Sequence, residues 1–167
     1  MGRGINPLPF SFQETSLITI TRRLEFDAGH RILGHEGKCR HLHGHRYVAE
    51  ITVRADALDN LGRVIDFSVI KEKVGGWIDE NWDHNILLHP DDPLFKLNES
   101  VAYSPKYDEV FGGRKPFVMP GETNNPTAEN LSWVLFQQAK KLLPSYLQVI
   151  NVRLYETPTS FADYSND

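Results

Sequence analysis

Five of the seven histidines in this 167-residue chain lie between His30 and His45, together with its only cysteine, Cys39. They occur in the run FDAGHRILGHEGKCRHLHGHRY. Neutral imidazole is a common ligand of zinc and related metals, and a thiol beside a cation is more readily deprotonated than one in water. The run therefore predicts a metal site with a reactive thiol next to it.

The flanking residues predict which histidines share a face. From His43 onward, every second position is histidine, aromatic or apolar, which is typical of a half-buried strand. His43 and His45 then project from the same side. A similar alternation over 18–28 predicts a second strand, and His30 continues its apolar phase. If the two strands form a hairpin through the loop 31–42, three imidazoles converge.

Three histidines without a fourth protein ligand suit catalytic zinc, whose open position takes water or substrate. Structural zinc is normally closed by four ligands rich in cysteine. His41 has the same strand parity if the strand extends that far back, and His35 lies in the same loop, so spacing alone leaves both as possible ligands. An isolated histidine is more often solvated or hydrogen-bonded in the core, but clustering favours metal binding.

Composition and charge narrow the classes of protein. With 40% hydrophobic residues, the chain is expected to form one domain. The lone Cys39 and the lack of a basic, apolar signal at the N-terminus predict a reducing, cytosolic location. A net charge of −4 and the lack of an apolar run of about 20 residues argue against nucleic-acid and membrane binding. An anionic ligand must be met locally, for which the candidates are Arg31, Lys38, Arg40 and Arg46.

Two helices and an insertion are predicted further along. Helical spacing of apolar residues predicts a helix over about 68–81. Residues of about 89–125 are rich in Pro, Gly, Asp and Asn, lack a sustained period and look like an insertion with one short strand at 117–119. Thr127 is the expected N-cap of a second amphipathic helix, which Pro144 ends.

A third apolar alternation predicts a strand over about 147–156. Glu156 continues the parity of Ile150, Val152 and Leu154, so its carboxylate is a candidate to point inward, although a glutamate at a strand end is more often solvated. A final strand is expected around 161–164. The order strand, strand, helix, helix, strand, strand indicates an α+β protein.

Five segments then match a family in order: FDAGH, CRHLHGH, the DH of NWDHNILL, PTAEN and YETPTS. The chain resembles the 6-pyruvoyl-tetrahydropterin synthase and QueD (6-carboxy-5,6,7,8-tetrahydropterin synthase) family over nearly its whole length. The exceptions are a flexible N-terminus at 1–15 and the insertion, within a single domain spanning 1–167. The resemblance implies the tunnelling fold, a four-stranded antiparallel sheet with two helices on one face. Subunits of that fold join their sheets into a barrel, a homo-oligomer built here as a hexamer from trimers, with active sites between subunits.

The resemblance also implies roles for individual residues. It selects His30, His43 and His45 as the Zn²⁺ ligands and leaves His41 and His35 as their neighbours. It makes Cys39 a catalytic base, a role open to a thiolate near a cation. It makes Asp83 and His84 a catalytic pair in which the imidazole moves a proton and the carboxylate orients it.

The remaining implied residues bind substrate. Glu156 matches the acidic anchor that accepts hydrogen bonds from the amino group and ring N–H of a pterin, and Thr127 helps to line that pocket. Glu129 is equally well explained by the helix dipole.

The implied substrate is 7,8-dihydroneopterin triphosphate. The expected product is 6-carboxy-5,6,7,8-tetrahydropterin, with loss of acetaldehyde and triphosphate, on the route to queuosine and other deazapurines. The alternatives are a 6-pyruvoyl product, a zinc- and pterin-binding module without turnover, and a structural metal site without a pterin.

Overall fold

A hairpin of two long strands forms the centre of the protein. The structure is a computed structural model that describes residues 18–94, 114–121 and 125–166. Strand β1 is Thr19–His30 and strand β2 is His43–Ala55. Their antiparallel register sets Phe26 opposite Tyr47 and His30 opposite His43. The two alternations in the sequence therefore form the predicted hairpin, with the histidines at its loop end.

Four further strands complete one mixed sheet, namely β3 (Asn85–Leu88), β4 (Phe117–Val118), β5 (Leu147–Thr157) and β6 (Ser160–Ser165). The strand order is β4-β3-β1-β2-β5-β6. Strands β1, β2, β5 and β6 pair with one another in antiparallel fashion, and they are the four strands that the resemblance implies. Strands β3 and β4 lie parallel to β1 and extend that edge. Strand β3 is not predicted from the sequence, because its four residues are too few to display a period.

The predicted helices are present with almost the expected bounds. The first comprises α1 (Phe67–Ile70), a π-helical turn (Lys71–Gly75) and α2 (Gly76–Asn81), and the second is α3 (Ala128–Leu142). Asp66 caps α1 by accepting a hydrogen bond from the Ser68 N–H at 2.9 Å. Thr127 caps α3 by accepting one from the Asn130 N–H at 3.4 Å. In both cases a side-chain oxygen satisfies a helical N–H that has no partner in the helix.

Both helices contribute to one hydrophobic core with the apolar residues of the central strands. Phe26 stacks on Tyr47 with ring centroids 5.1 Å apart, and the buried Trp82 packs against Phe26. The core also includes Leu24, Ala49, Ile51, Ile70, Val74, Ile78, Leu131, Leu135, Phe136, Val152 and Leu154. The side chains of His30, His43 and His45 continue the same alternation, so the histidine cluster lies at the end of the sheet face that forms the core.

The predicted N-terminal segment and part of the predicted insertion lie outside the described residues. This applies to the expected flexible N-terminus at 1–15 and, within the predicted insertion, to 95–113 and 122–124. The described ends of the insertion pack against the domain, since Asp92 and Met119 are buried. Among the described residues no helix is long and apolar enough to cross a membrane.

Candidate metal centre and active site

Three histidine rings meet at the loop end of the β1–β2 hairpin. One nitrogen each from His30, His43 and His45 lies within 4.8 Å of the other two, close enough for all three to hold one metal ion. The hairpin register produces this arrangement, because His30 lies opposite His43 and His45 follows two residues later on the same face. His30 is fully buried and the other two rings are partly buried.

Backbone carbonyls fix the tautomers of two of these rings. The Nδ1 atom of His30 lies 2.8 Å from the carbonyl oxygen of Pro126, and that of His43 lies 2.7 Å from the carbonyl oxygen of His41. A carbonyl only accepts, so each Nδ1 carries the ring proton and donates it. The Nε2 atoms are left with lone pairs directed into the cluster, which is how a metal-binding histidine is normally oriented.

The Nε2 atoms of His30 and His43 are 3.1 Å apart. With both ring protons on Nδ1, this contact places two lone pairs together, and a shared cation would relieve their repulsion. The Nε2 atom of His45 is buried and has no hydrogen-bond partner among the described residues. A buried polar atom without a partner is unfavourable, and a ligated metal ion would satisfy it.

Burial favours the neutral form of two of these rings, His30 and His45. Burial lowers the pKa of His30 to about 4, with the charges of His43 and His45 adding to the effect and the Pro126 carbonyl opposing it. Burial also lowers the pKa of His45, although the Glu156 carboxylate opposes this. Metal binding requires deprotonated imidazole, so the three residues fit a divalent ion such as zinc.

Glu156 lies against the histidine cluster. Its Oε1 atom is 3.2 Å from the Nε2 atom of His30 and 3.7 Å from that of His45. Strand β5 pairs Val152 with Ile51 and Leu154 with Ala49, so the next residue of that parity points toward the histidine face. The inward carboxylate proposed from the strand pattern is therefore present, and it lies within the same chain as the histidines.

Cys39 lines a cavity beside the cluster. It lies in a short 3₁₀ turn, Lys38–Arg40, and the Cys39 carbonyl accepts a hydrogen bond from the Ile32 N–H at 2.8 Å, which closes the loop. The cavity measures about 240 Å³, and its wall includes Cys39, His35, Thr127, Glu129 and Glu156. Two carboxylates in one wall favour a ligand edge rich in N–H donors.

Asp83 and His84 form a hydrogen-bonded pair just before β3. The Nδ1 atom of His84 is 2.7 Å from Asp83 Oδ2, and Asp83 Oδ1 accepts from the Asp27 N–H at 2.9 Å. Burial raises the pKa of Asp83, but the Asp27 N–H, the His84 ring and the charge of Arg114 together lower it below its ordinary value. The ionised carboxylate can only accept, so His84 carries its proton on Nδ1 and its Nε2 atom can act as a proton acceptor.

His84 of the Asp83–His84 pair and the thiol of Cys39 line different cavities. His84, whose side chain is 75% exposed, lines a cavity of about 560 Å³ together with His45 and Asp27. Cys39 lines the smaller cavity described above. His45 and Glu156 both border a third cavity of about 700 Å³.

The two alternative ligands, His41 and His35, lie outside the cluster formed by His30, His43 and His45. His41 contributes its carbonyl to His43, while its ring lies 3.4 Å from Arg40 Nε. The Nδ1 atom of His35 accepts a hydrogen bond from the Gly37 N–H at 2.8 Å, so its proton is on Nε2 in the neutral form.

Two of the four cations proposed to meet an anionic ligand, Arg31 and Arg46, are paired with carboxylates. Arg31 holds the buried Asp92 through two hydrogen bonds of 2.6 and 2.7 Å, and Asp92 raises the pKa of Arg31. Arg46 donates to Glu25 at 2.9 Å on the surface. An anionic ligand would therefore have to compete with these carboxylates.

Sequence reasoning missed the groups that orient the site. The acceptors for His30 and His43 are backbone carbonyls, which have no side-chain signature. The PTAEN motif contains Pro126, but nothing in the motif indicates that its carbonyl meets His30. The partner of Arg31 lies 61 residues away at Asp92, in the predicted insertion.

Comparison with known proteins agrees with this architecture. The family model described as 6-pyruvoyl tetrahydropterin synthase matches residues 19–167. The chain is 44% identical over 149 residues to the 6-carboxy-5,6,7,8-tetrahydropterin synthase of Rickettsia bellii, covering 88% of this chain and 99% of that protein.

Two solved structures are similar in fold. An uncharacterized protein, WS1659, from Wolinella succinogenes has a TM-score of 0.76 at 24% identity, covering 92% of this chain and 100% of that one. The Caenorhabditis elegans 6-pyruvoyl tetrahydropterin synthase has a TM-score of 0.62 at 21% identity, covering 93% and 99%.

A sheet with four antiparallel strands, helices on one face and three histidines at the end of its central hairpin defines a protein of the tunnelling-fold class. Within that class the chain belongs to the 6-pyruvoyl tetrahydropterin synthase family.

Proposed function

We propose that the protein is a zinc-dependent 6-carboxy-5,6,7,8-tetrahydropterin synthase. The observation that carries this proposal is the near full-length match to the Rickettsia bellii protein of that name. The substrate is 7,8-dihydroneopterin triphosphate, and the products are the 6-carboxy pterin, acetaldehyde and triphosphate, on the route to queuosine. Cys39 works in its reduced form, without a disulfide, which suits a reducing cytosol.

The atoms of this reaction balance when one water molecule is consumed. Two side-chain carbons leave as acetaldehyde, and the bridging oxygen leaves with triphosphate. The water supplies the second oxygen of the carboxyl group. The pterin ring gains two hydrogens while the remaining side-chain carbon is oxidised, so the reaction needs no external oxidant or reductant.

His30, His43 and His45 would hold the zinc ion. When bound, zinc supplies a Lewis acid that makes a side-chain hydroxyl of the pterin more acidic. The lowered pKa values of His30 and His45, the fixed tautomers of His30 and His43 and the unpartnered His45 nitrogen support this role.

Cys39, Glu156 and Thr127 bind and activate the substrate from the cavity that they share. Glu156 accepts hydrogen bonds from the amino group and ring N–H of the pterin, and Thr127 lines the pocket beside it. Cys39 takes a proton from a side-chain carbon as a general base, a role that contributes about 10²- to 10⁴-fold in rate in other enzymes.

Asp83 and His84 move the second proton. Asp83 orients the ring, and the Nε2 atom of His84 accepts the proton and returns it. His84 lines a different cavity from Cys39 of its own chain. The proposed assembly is a homo-oligomeric barrel, a hexamer built from trimers, in which His84 of the partner subunit completes each site.

The test is to supply the zinc-loaded protein with 7,8-dihydroneopterin triphosphate and identify every product. We expect acetaldehyde and the 6-carboxy pterin in equal amounts. A 6-pyruvoyl pterin without acetaldehyde would replace this assignment with the pyruvoyl synthase activity. Tight pterin binding without turnover would make the protein a binding module, and zinc binding without pterin binding would leave a structural metal site.

A further inference from the structure

His84 has an unusual backbone conformation. Its φ angle is 53°, in the left-handed region that residues other than glycine rarely adopt. Such a conformation is strained and persists only where the surrounding structure holds it. One restraint is evident, since the His84 N–H donates to the Asp27 carbonyl at 2.6 Å.

A second restraint comes from Arg114, whose guanidinium group meets the chain just before the pair. It donates to the carbonyl oxygens of Asp79 and Glu80 at 2.7 and 2.5 Å, and to that of Asp83. The last carbonyls of a helix have no partner within the helix, and the planar fork of arginine can serve several of them together. Arg114 thereby connects the end of α2 to the residue that orients His84.

Arg114 is itself fixed by the sheet. It lies shortly before β4, which pairs with β3 through Leu87 and Phe117. The Asn85 side chain also donates to the Lys115 carbonyl at 3.2 Å. The segment that carries Arg114 is therefore attached to both sides of the Asp83–His84 turn.

We propose that Arg114 is a positioning residue that holds Asp83 and His84 in the geometry required for proton transfer. The inference rests on the proposed function of the pair and assigns a role to the far end of the predicted insertion. Arg114 acts through the backbone of Asp83 and does not contact substrate.

The competing explanation is that Arg114 only caps a helix. A cap would affect the stability of the fold but not the state of the His84 ring. The two explanations are separated by a measurement on the ring itself, made on the zinc-loaded full chain.

The experiment compares Arg114→Ala and Arg114→Lys with Lys115→Ala, a neighbouring change that removes an exposed cation. We expect Arg114→Ala to lower kcat by about tenfold to a hundredfold, as small displacements of reacting groups do, while KM changes less than about twofold. The ¹⁵N spectrum of the His84 ring should lose its dominant Nδ1–H form. Guanidinium ion at a non-denaturing concentration should restore part of kcat, and Lys115→Ala should match the wild type.

Arg114→Lys covers the case in which the alanine variant does not fold, because lysine keeps the charge but cannot bridge three carbonyls. An unchanged His84 spectrum and unchanged kcat in a folded Arg114 variant would overturn the proposal. If the wild-type protein turns over no pterin, the ring spectrum still decides the positioning role, so the two proposals fail separately.

Discussion

The Nε2 atoms of His30 and His43 lie 3.1 Å apart, while the Nδ1 atom of each ring donates to a backbone carbonyl. Two lone pairs are therefore held together inside the fold. Burial and the neighbouring imidazoles keep the pKa of His30 near 4, so an extra proton does not relieve this contact at neutral pH. A metal ion bound to both nitrogens would relieve it, and the first prediction concerns that ion.

We predict that His30→Gln and His43→Gln each weaken zinc binding by at least about a hundredfold. Mutating a residue that only hydrogen-bonds to a metal ligand often lowers metal affinity about 10- to 100-fold, and loss of the ligand itself should cost at least as much. Competition with a coloured chelator would measure the affinity. His41→Gln is the matched control, since it keeps the backbone carbonyl that orients His43 but removes a ring outside the cluster. Equal losses in all three variants would contradict the ligand assignment.

Cys39→Ala should retain zinc and lose most activity. The thiol lines the proposed substrate cavity and lies outside the histidine cluster, and loss of a general base costs about 10²- to 10⁴-fold. Metal content and product formation would be measured on the same sample. Loss of zinc together with activity would place the thiol among the ligands.

Glu156→Gln should keep its zinc and bind pterin about 10- to 100-fold more weakly. A hydrogen bond to a charged group is worth about 1.5–3 kcal/mol, and glutamine turns one acceptor into a donor. Titration with a non-reacting pterin would give the affinity. The carboxylate lies 3.2 Å from His30 Nε2, so the opposing result is loss of zinc with little change in pterin affinity, which would make Glu156 a fourth ligand.

Asp92→Ala should destabilise the fold by about 3 kcal/mol. Removing one partner of a buried ion pair leaves the other charge unpaired, and the lower end of the usual range applies because Arg31 keeps 22% of its side chain exposed. Urea unfolding of the zinc-saturated protein would measure the change. Glu25→Gln, which weakens a surface pair with Arg46, is the control and should destabilise the fold much less. Equal losses of stability in the two variants would contradict a stabilising role for the buried Arg31–Asp92 pair.

The sequence predicts the fold well where apolar residues repeat over many positions. The β1–β2 hairpin, both helices and β5 each have a sustained period of two or 3.6 residues, so their existence and approximate bounds follow from the pattern. The short strand predicted at 117–119 is present as β4, which pairs with β3. Strand β3 has only four residues, and it forms because the edge of β1 pairs with it. That pairing is a tertiary effect, which local spacing does not contain.

The candidate site divides in the same way. The meeting of His30, His43 and His45 follows from strand parity and hairpin register. The choice between them and His41 came from family resemblance, and the roles of Cys39, Asp83, His84 and Thr127 stay predictions. The carbonyl of Pro126, the Arg31–Asp92 pair and the contacts of Arg114 depend on residues distant in sequence, so only the folded chain brings them together.

The most direct test of the metal centre is anomalous diffraction at the zinc absorption edge from crystals of the zinc-loaded protein. We predict one strong anomalous peak per chain, at a zinc ion bonded to the Nε2 atoms of His30, His43 and His45. The remaining coordination position of the ion should be open to water. A peak enclosed by a fourth side chain, or bonded through Nδ1 of these rings, or no peak between them, would contradict the account.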